Sequence, residues 1–267
     1  MTEPERICVL GNSHLAAAAA GWKRIAAQHP GHELTFFGAP WDLMGQLEVQ
    51  DQALVATTPR LAKKLNRSSG GLERIEPGAY DRVVIYGLQF GPRRILQLYR
   101  NFRPVSFEWR EPLHDLPPFR RNVDPVQAIS ERLFDRVALA GLRTSLAIRI
   151  AAQIAEIRTM PVTLVAAPGF SANVMENGTW DAPIGAGDIE RLVARTRTLL
   201  RRAAPEGVHL VHPRSHLTSH GLFTAAAYAA PAKPNEAPDF VHTGPEYAAE
   251  MLGDALAAGK AAERSAA

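Results

Sequence analysis

The sequence has very little cysteine and no long apolar run. Cys8 is the single cysteine among 267 residues, which excludes a disulfide framework and a cysteine-based metal site. No stretch approaches the roughly eighteen consecutive apolar residues that cross a bilayer. No charged and then apolar leader precedes the first apolar run, residues 7–10. We therefore expect a cytoplasmic protein without a membrane partner.

An excess of charge and the common cofactor motifs are also missing. The 30 Lys and Arg nearly balance the 27 Asp and Glu, and the arginines show a local excess only in residues 93–121. This distribution gives no case for a nucleic-acid partner. A dinucleotide site needs Gly-x-Gly-x-x-Gly after the first strand, where residues 11–16 have only one of the three glycines. A Walker-type phosphate loop is absent as well, so we expect no cofactor.

Three histidines recur at four-residue spacing, which on a helix would place three imidazoles on one face, as in some metal sites. They are His212, His216 and His220. Pro213 and the surrounding Ser, Thr and Gly residues predict a loop there, and no carboxylate is close in sequence. We therefore expect no metal site.

Short apolar runs alternate with longer helical patterns along the chain. The predicted strands are residues 7–10, 34–37, 82–86, 162–167 and 208–211, and the predicted helices are residues 14–29, 95–100, 125–158, 187–203 and 245–258. Strands that are apolar on every residue and separated by helices predict an α/β fold with a parallel sheet covered on both faces. We expect one domain over residues 1–259 and a flexible tail over residues 260–267.

The first strand ends in Gly11-Asn12-Ser13, which places Ser13 at a corner between a strand and a helix. Unpaired N–H groups and the positive end of the helix dipole favour negative charge there, on the serine oxygen or on an oxyanion beside it. A serine that opens a helix is more often an N-cap, which satisfies one of those N–H groups. Both interpretations remain open from this segment alone.

Asp239 and His242 stand three residues apart just before the closing helix. On an irregular turn both side chains can face the same cleft. The carboxylate can then hold the imidazole in one tautomer while the other ring nitrogen reaches a hydroxyl. Together with Ser13, these residues supply a nucleophile, a base and an orienting acid.

These segments resemble the SGNH, or GDSL-type, hydrolases over nearly the whole chain. That family has Gly-Asp-Ser after the first strand, a glycine after the second, Gly-x-Asn-Asp after the third and Asp-x-x-His before the last helix. The matching segments here are Gly11-Asn12-Ser13, Gly38, Gly87-Leu88-Gln89 and Asp239-Phe240-Val241-His242. Asn12 replaces the aspartate of the first motif and Gln89 the asparagine of the third. The resemblance implies a flavodoxin-like three-layer α/β/α fold with a five-stranded parallel sheet.

The resemblance also implies roles for individual residues. Ser13 would attack an ester carbonyl after His242 takes its proton, and Asp239 would orient the imidazole. The N–H groups of Ser13 and Gly38 and the side-chain amide of Gln89 would hold the oxyanion.

The expected activity is hydrolysis of a small acyl ester, such as an O-acetyl carbohydrate. Two alternatives stay open. One is acyl transfer to another alcohol through the same acyl-enzyme. The other is a catalytically silent binding domain, because Asn12 and Gln89 depart from the family motifs.

Three further residues are candidates for substrate binding. His14 could line the acyl pocket, with a solvated or capping side chain as the alternative. Asn173, in the loop of residues 168–183, competes with Gln89 as an oxyanion donor. Trp109 belongs to residues 102–125, rich in aromatics and arginine, which either fold over the cleft as a lid or form a surface excursion.

The predicted helix over residues 125–158 carries apolar residues on more than one face. A helix of this kind usually has a second surface to cover. We therefore expect a homodimer contact along it.

Overall fold

The computed structural model describes residues 3–106, 127–176, 186–231 and 239–266. Its strands are β1 (Glu5–Gly11), β2 (His32–Gly38), β3 (Leu47–Gln50), β4 (Ala53–Ala56), β5 (Arg74–Ile75), β6 (Arg82–Tyr86), β7 (Phe102–Pro104), β8 (Gln127–Ile129), β9 (Val162–Val165), β10 (Val208–Val211), β11 (Thr218–Ser219) and β12 (Phe223–Thr224). Its α-helices are α1 (Leu15–Ile25), α2 (Trp41–Met44), α3 (Pro59–Ser69), α4 (Pro92–Asn101), α5 (Glu131–Arg143), α6 (Leu146–Ile157), α7 (Asn173–Glu176), α8 (Ala186–Ala203) and α9 (Pro245–Ala266).

The central sheet contains five parallel strands in the spatial order β10-β9-β6-β1-β2. The chain runs outward from β1 to β2 and then crosses back past β1 to β6. The connections therefore change direction between β1 and β6, and in sheets of this type that point leaves a ligand crevice at the carboxyl ends of the strands. The predicted five-stranded parallel sheet is confirmed, and each predicted apolar run contributes one of its strands.

Helices cover both faces of the sheet, because neighbouring residues of each strand point to opposite sides. Ile7 and Val9 of β1 belong to the hydrophobic cluster that contains α1 and α9. Cys8 and Leu10 belong to the cluster formed with α3, α4, α5, α6 and α8. The predicted three-layer arrangement is therefore confirmed. Helices α1 and α9 pack closely at Gly21, where a Cβ would lie 2.7 Å from the Ala249 nitrogen.

The single helix predicted over residues 125–158 is wrong. Residues 127–129 form β8, and the remainder forms α5 and α6, which are bent by 52° at the break between them. The Thr144 hydroxyl donates to the Ala140 carbonyl at 2.9 Å, and Ser145 adopts an extended backbone before α6. Serine and threonine hydroxyls compete in this way with helical hydrogen bonds, and the apolar periodicity does not register it.

The helices in the described ranges are too short or too polar to cross a membrane singly. Helices α5 and α6 reach the required length and composition only as a bent pair.

Two further parts of the fold differ from the sequence-based prediction. Strands β3, β4 and β5 form a small antiparallel sheet, which the sequence did not reveal because these strands are only two to four residues long. Helix α9 extends to Ala266, beyond residue 258, where the predicted helix stops.

Candidate active site

The site begins where β1 and β2 end in glycine. Gly11 and Gly38 are paired in register, and the Leu15 side chain packs over both. A Cβ at Gly38 would lie 2.5 Å from Leu15 Cδ2, and one at Gly11 would lie 2.8 Å from Leu15 Cδ1. Because glycine has no side chain, Leu15 can pack against both residues, and α1 can start directly over the ends of β1 and β2.

The loop before α1 is held by Asn12. Its side chain is 7% exposed, and its Oδ1 accepts the His14 N–H at 3.3 Å. Its carbonyl accepts the Leu15 N–H at 2.9 Å. His14 occupies the N-cap position, so Ser13 lies just before the helix N-terminus. Within the described ranges the Ser13 N–H donates to no backbone carbonyl.

Ser13, His242 and Asp239 form a continuous hydrogen-bonded chain. Ser13 Oγ lies 2.7 Å from His242 Nε2, although the two residues are 229 positions apart in sequence. His242 Nδ1 lies 2.7 Å from Asp239 Oδ2. With Nδ1–H donating to the carboxylate, Nε2 is left as the acceptor for the serine proton. The structure therefore brings together the nucleophile, base and orienting acid suggested by the sequence.

The turn around Asp239 fixes the carboxylate. Its Oδ1 accepts the N–H groups of Val241 at 2.9 Å and of His242 at 3.0 Å. Partial burial raises the pKa of Asp239, but these two N–H groups and the His242 ring outweigh burial and hold that pKa below its usual range. One oxygen thus shapes the turn while the other holds the imidazole, and the group is ionised at neutral pH.

His14 is only 3% exposed, and its ring centroid lies 5.0 Å from that of His242. Burial, followed by the charges of His242 and Arg93, lowers the pKa of His14 to about 3. The side chain makes no capping hydrogen bond, and it is absent from the lining of the cavity at Ser13. The solvated or capping alternative for His14 is therefore wrong, because the ring is buried against His242 and makes no cap, and its role in the acyl pocket stays a prediction.

A cavity of about 330 Å³ opens at Ser13 and Gly38. Most of its other lining residues are apolar: Leu15, Ala16, Ala19, Phe36, Ala39 and Pro40. Contrary to the expectation for a free oxyanion donor, the Gly38 N–H donates to Ser68 Oγ at 2.9 Å. The Ser68 hydroxyl donates in turn to the Leu65 carbonyl at 3.1 Å. In the structure, the Gly38 amide is therefore already hydrogen-bonded to the end of α3.

The oxyanion role of Gln89 stays a prediction, and the structure shows its side chain bound to Arg94. Gly87, Leu88 and Gln89 have φ values of 78°, 45° and 69°, a left-handed run that is strained at the two non-glycine residues. Gln89 Oε1 accepts Arg94 Nη2–H at 3.0 Å. Its side chain lines a second cavity and is absent from the lining of the one at Ser13. The structure therefore does not join Gln89 to the Ser13 cavity.

The other sequence candidates are not joined to Ser13. Asn173 begins α7, where its N–H donates to Ser171 Oγ at 3.3 Å, and it lines neither cavity. Trp109 lies outside the described residues, as does the proposed lid of residues 102–125 apart from residues 102–106.

Sequence reasoning missed two residues at the site, Ser68 and Arg93. Ser68 carries no sequence signal, because its place depends on how α3 packs beside β2. Arg93 does carry a sequence signal. It is a basic residue in the first turn of α4, where acidic residues are favoured.

No protein-family model and no curated protein sequence matches this chain. Among solved structures, a Streptococcus pneumonia protein described as a platelet activating factor is 15% identical, with 96% of this chain and 85% of that chain covered and a TM-score of 0.41. The periplasmic domain of a Salmonella ser. Paratyphi A lipopolysaccharide acetyltransferase is 10% identical, with coverages of 96% and 84% and a TM-score of 0.42.

A catalytic mutant of an acetylxylan esterase from Geobacillus stearothermophilus is 11% identical, with 96% of this chain and 94% of that chain covered and a TM-score of 0.35. Likenesses at these low TM-scores establish neither a common fold nor a common function. The geometry of Ser13, His242 and Asp239 carries the functional conclusion.

Proposed function

We propose that the protein is a serine hydrolase of the SGNH type that cleaves a small acyl ester through an acyl-enzyme on Ser13. The observation that carries the proposal is the unbroken chain of Ser13, His242 and Asp239, with 2.7 Å at both contacts. Distances of this length allow proton transfer without rearrangement of the side chains. The position of Ser13 before α1 supports the proposal, because the helix dipole favours negative charge there.

The first half of the reaction forms the acyl-enzyme. Ser13 Oγ attacks the ester carbonyl carbon while its proton passes to His242 Nε2. The N–H of Ser13, which donates to no backbone carbonyl in the described ranges, then donates to the oxyanion of the tetrahedral intermediate. As the intermediate collapses, the bond to the alcohol oxygen breaks and that oxygen takes the proton from His242. Asp239 remains a carboxylate and stabilises the imidazolium.

The second half returns the enzyme to its starting state. Water gives a proton to His242 Nε2 and attacks the acyl carbon, and the serine oxygen takes that proton back as the acid leaves. The cavity beside Ser13 has a mainly apolar lining, which suits the acyl group of the ester. An O-acetyl carbohydrate is the substrate class that we propose.

The two other functions differ in testable ways. A catalytically silent binding domain would not need Ser13 within reach of His242, and the observed contact of 2.7 Å counts against it. An acyltransferase would share each step up to the acyl-enzyme and would differ only in the alcohol that replaces water. The fate of the acyl group therefore separates a hydrolase from a transferase.

The test is hydrolysis of p-nitrophenyl acetate and butyrate, together with labelling by a fluorophosphonate read by intact mass. We expect turnover and one phosphonate adduct in the wild type, and neither in Ser13→Ala. Ser215→Ala, which changes an exposed serine, is the matched control and should behave as wild type. Transfer of acetyl to added glycerol in preference to water would favour the transferase. Absence of both turnover and adduct in folded protein would overturn the proposal.

A further inference from the structure

A second cavity, of about 580 Å³, opens beside the active site. Gln89, Arg93, Arg94 and Trp41 contribute to its lining. A Cβ at Gly87 would lie 3.8 Å from the Cβ of Ala167, which lines this cavity, and also 3.8 Å from Cδ2 of His14. The cavity therefore adjoins the catalytic histidine through His14, and no step of the reaction above uses it.

The two arginines have only neutral partners in the described part of the chain. Arg94 Nη1 donates to the Gly141 carbonyl at 3.1 Å, and Nη2 donates to Gln89 Oε1 at 3.0 Å. The Arg93 guanidinium lies 5.9 Å from the Phe170 ring centroid and forms no ion pair with a described residue. None of the described residues that line the cavity is acidic. Two cations thus face one cavity without a described carboxylate.

The position of these arginines on α4 adds to the positive potential. Arg93 and Arg94 stand in the first turn of the helix, which contains no acidic residue. The N-terminal end of a helix carries partial positive charge, so cations there are unfavourable. Burial and the charge of Arg94 both lower the pKa of Arg93. A bound anion would relieve each of these unfavourable effects.

We propose that this cavity binds an oxyanion, a carboxylate or a phosphate, on the alcohol part of the ester substrate. Guanidinium groups present a planar fork of donors that matches both anions. This inference rests on the proposed esterase function, in which the apolar cavity at Ser13 takes the acyl group. The alcohol then leaves towards His242, which protonates it, and the cavity lies on that side, because its lining residue Ala167 and His14 both adjoin Gly87.

Other residues of the cavity fit a ring-shaped alcohol that carries hydroxyl groups. Trp41 is 59% exposed and lines the cavity, where an aromatic side chain can pack against a ring. Gln97 and Asn101 add side-chain amides that can bind hydroxyls. An acidic sugar acylated on a hydroxyl combines all the groups that this lining would recognise.

The first test compares esters that differ in charge but share the acetyl group. The probes are 4-acetoxybenzoate, its neutral amide 4-acetoxybenzamide, and 4-acetoxyphenyl phosphate. We expect kcat/KM for the anionic esters to exceed that for the amide by about 10- to 100-fold, as charge-assisted hydrogen bonds provide. The better of the two anionic esters tells whether carboxylate or phosphate is the natural anion.

Variants connect that preference to the arginines. Arg93→Gln and Arg94→Gln should each bring the ratio of anionic to neutral kcat/KM close to one, whereas Arg93→Lys should keep part of it. Arg60→Gln makes the same change in charge at an exposed position on α3 and should keep the wild-type ratio. A ratio lowered equally by all these substitutions would overturn the assignment to this cavity.

The second test does not depend on catalysis. Calorimetry on the Ser13→Ala variant should show 4-acetoxybenzoate or 4-acetoxyphenyl phosphate binding at least about 10-fold more tightly than the amide, and adding Arg93→Gln should remove the difference. Equal affinity for charged and neutral probes would overturn the anion site even if the wild type hydrolyses all of them. Selective anion binding without hydrolysis by the wild type would support the anion site and overturn the proposed esterase function.

Discussion

The buried ring of His14 lies 5.0 Å from the ring of His242, centroid to centroid. Its Nδ1 has no hydrogen-bond partner among the described residues. A charged His14 would repel the imidazolium that forms on His242 during the proposed reaction. Because burial lowers the pKa of His14 to about 3, the ring stays neutral at the pH at which an esterase would work.

The pKa of His14 predicts how stability changes with pH. Its value rises from about 3 in the folded chain to about 6.5 on unfolding, so between these values the unfolded chain binds more protons. The free energy of unfolding therefore falls as the pH drops from 6.5 towards 3, by on the order of 3 kcal/mol at pH 4. His14→Gln should lose this part of the pH dependence in urea unfolding between pH 7 and 4.

The matched control for this prediction is His209→Gln, which removes an exposed histidine. That variant should keep the wild-type pH dependence. If the free energy of unfolding changes with pH in the same way in wild type and His14→Gln, the lowered pKa assigned to His14 is contradicted.

A second prediction concerns Asp239→Asn. The amide oxygen can still accept the N–H groups of Val241 and His242, so the turn should form as before. The charge that stabilises the His242 imidazolium is lost, and we expect kcat on p-nitrophenyl acetate to fall roughly 10³- to 10⁴-fold. Asp81→Asn is the control, since Asp81 also accepts a backbone N–H, from Arg6 at 2.7 Å. A comparable loss in Asp81→Asn would mean that the effect comes from folding.

Ser68→Ala tests the Gly38 amide. In the wild type the Gly38 N–H donates to Ser68 Oγ at 2.9 Å. Removing the hydroxyl leaves this N–H free. If this amide binds the oxyanion, kcat should rise by up to about 10-fold, the effect of one competing hydrogen bond. Ser69→Ala, which removes the hydroxyl that accepts the Leu72 N–H, should leave kcat unchanged. An unchanged kcat in Ser68→Ala would exclude Gly38 as a donor.

The sequence predicts what local patterns encode, and it misses what depends on packing between distant elements. Five apolar runs sufficed for the central sheet, and the spacing of Asp239 and His242 sufficed to predict their shared turn. The Gly38 amide could not be predicted to donate to Ser68, because that contact requires α3 to end beside β2. The orientation of Gln89 depends in the same way on Arg94, in the next helix.

A fourth prediction concerns the steric contact between Gly38 and Leu15. An added Cβ would lie 2.5 Å from Leu15 Cδ2, so Gly38→Ala should lower the free energy of unfolding by about 1–3 kcal/mol. Combining it with Leu15→Ala should cost less than the sum of the two single changes in urea unfolding. Gly31→Ala is the control, because no atom lies within 4 Å of its added Cβ. If the losses of unfolding free energy in the two single variants simply add up in the double variant, the steric contact between Gly38 and Leu15 is excluded.

The homodimer expected from residues 125–158 remains a prediction, and the structure narrows its surface. Leu133 and Val137 of α5 are 47% and 44% exposed and stand four residues apart, on one helix face. If they form the contact, Val137→Arg should convert a dimer into a monomer in light scattering. Arg136→Lys, a change at a neighbouring exposed position, should leave the dimer intact. A monomeric wild type would exclude this interface.

The distance of 229 residues between Ser13 and His242 has a consequence for biosynthesis. A chain still emerging from the ribosome carries Ser13 long before His242 is synthesised. If Ser13 needs His242 to react, as we propose, an immature chain cannot be acylated by the esters around it. During refolding, reactivity towards a fluorophosphonate would mark the moment at which the two ends of the chain come together.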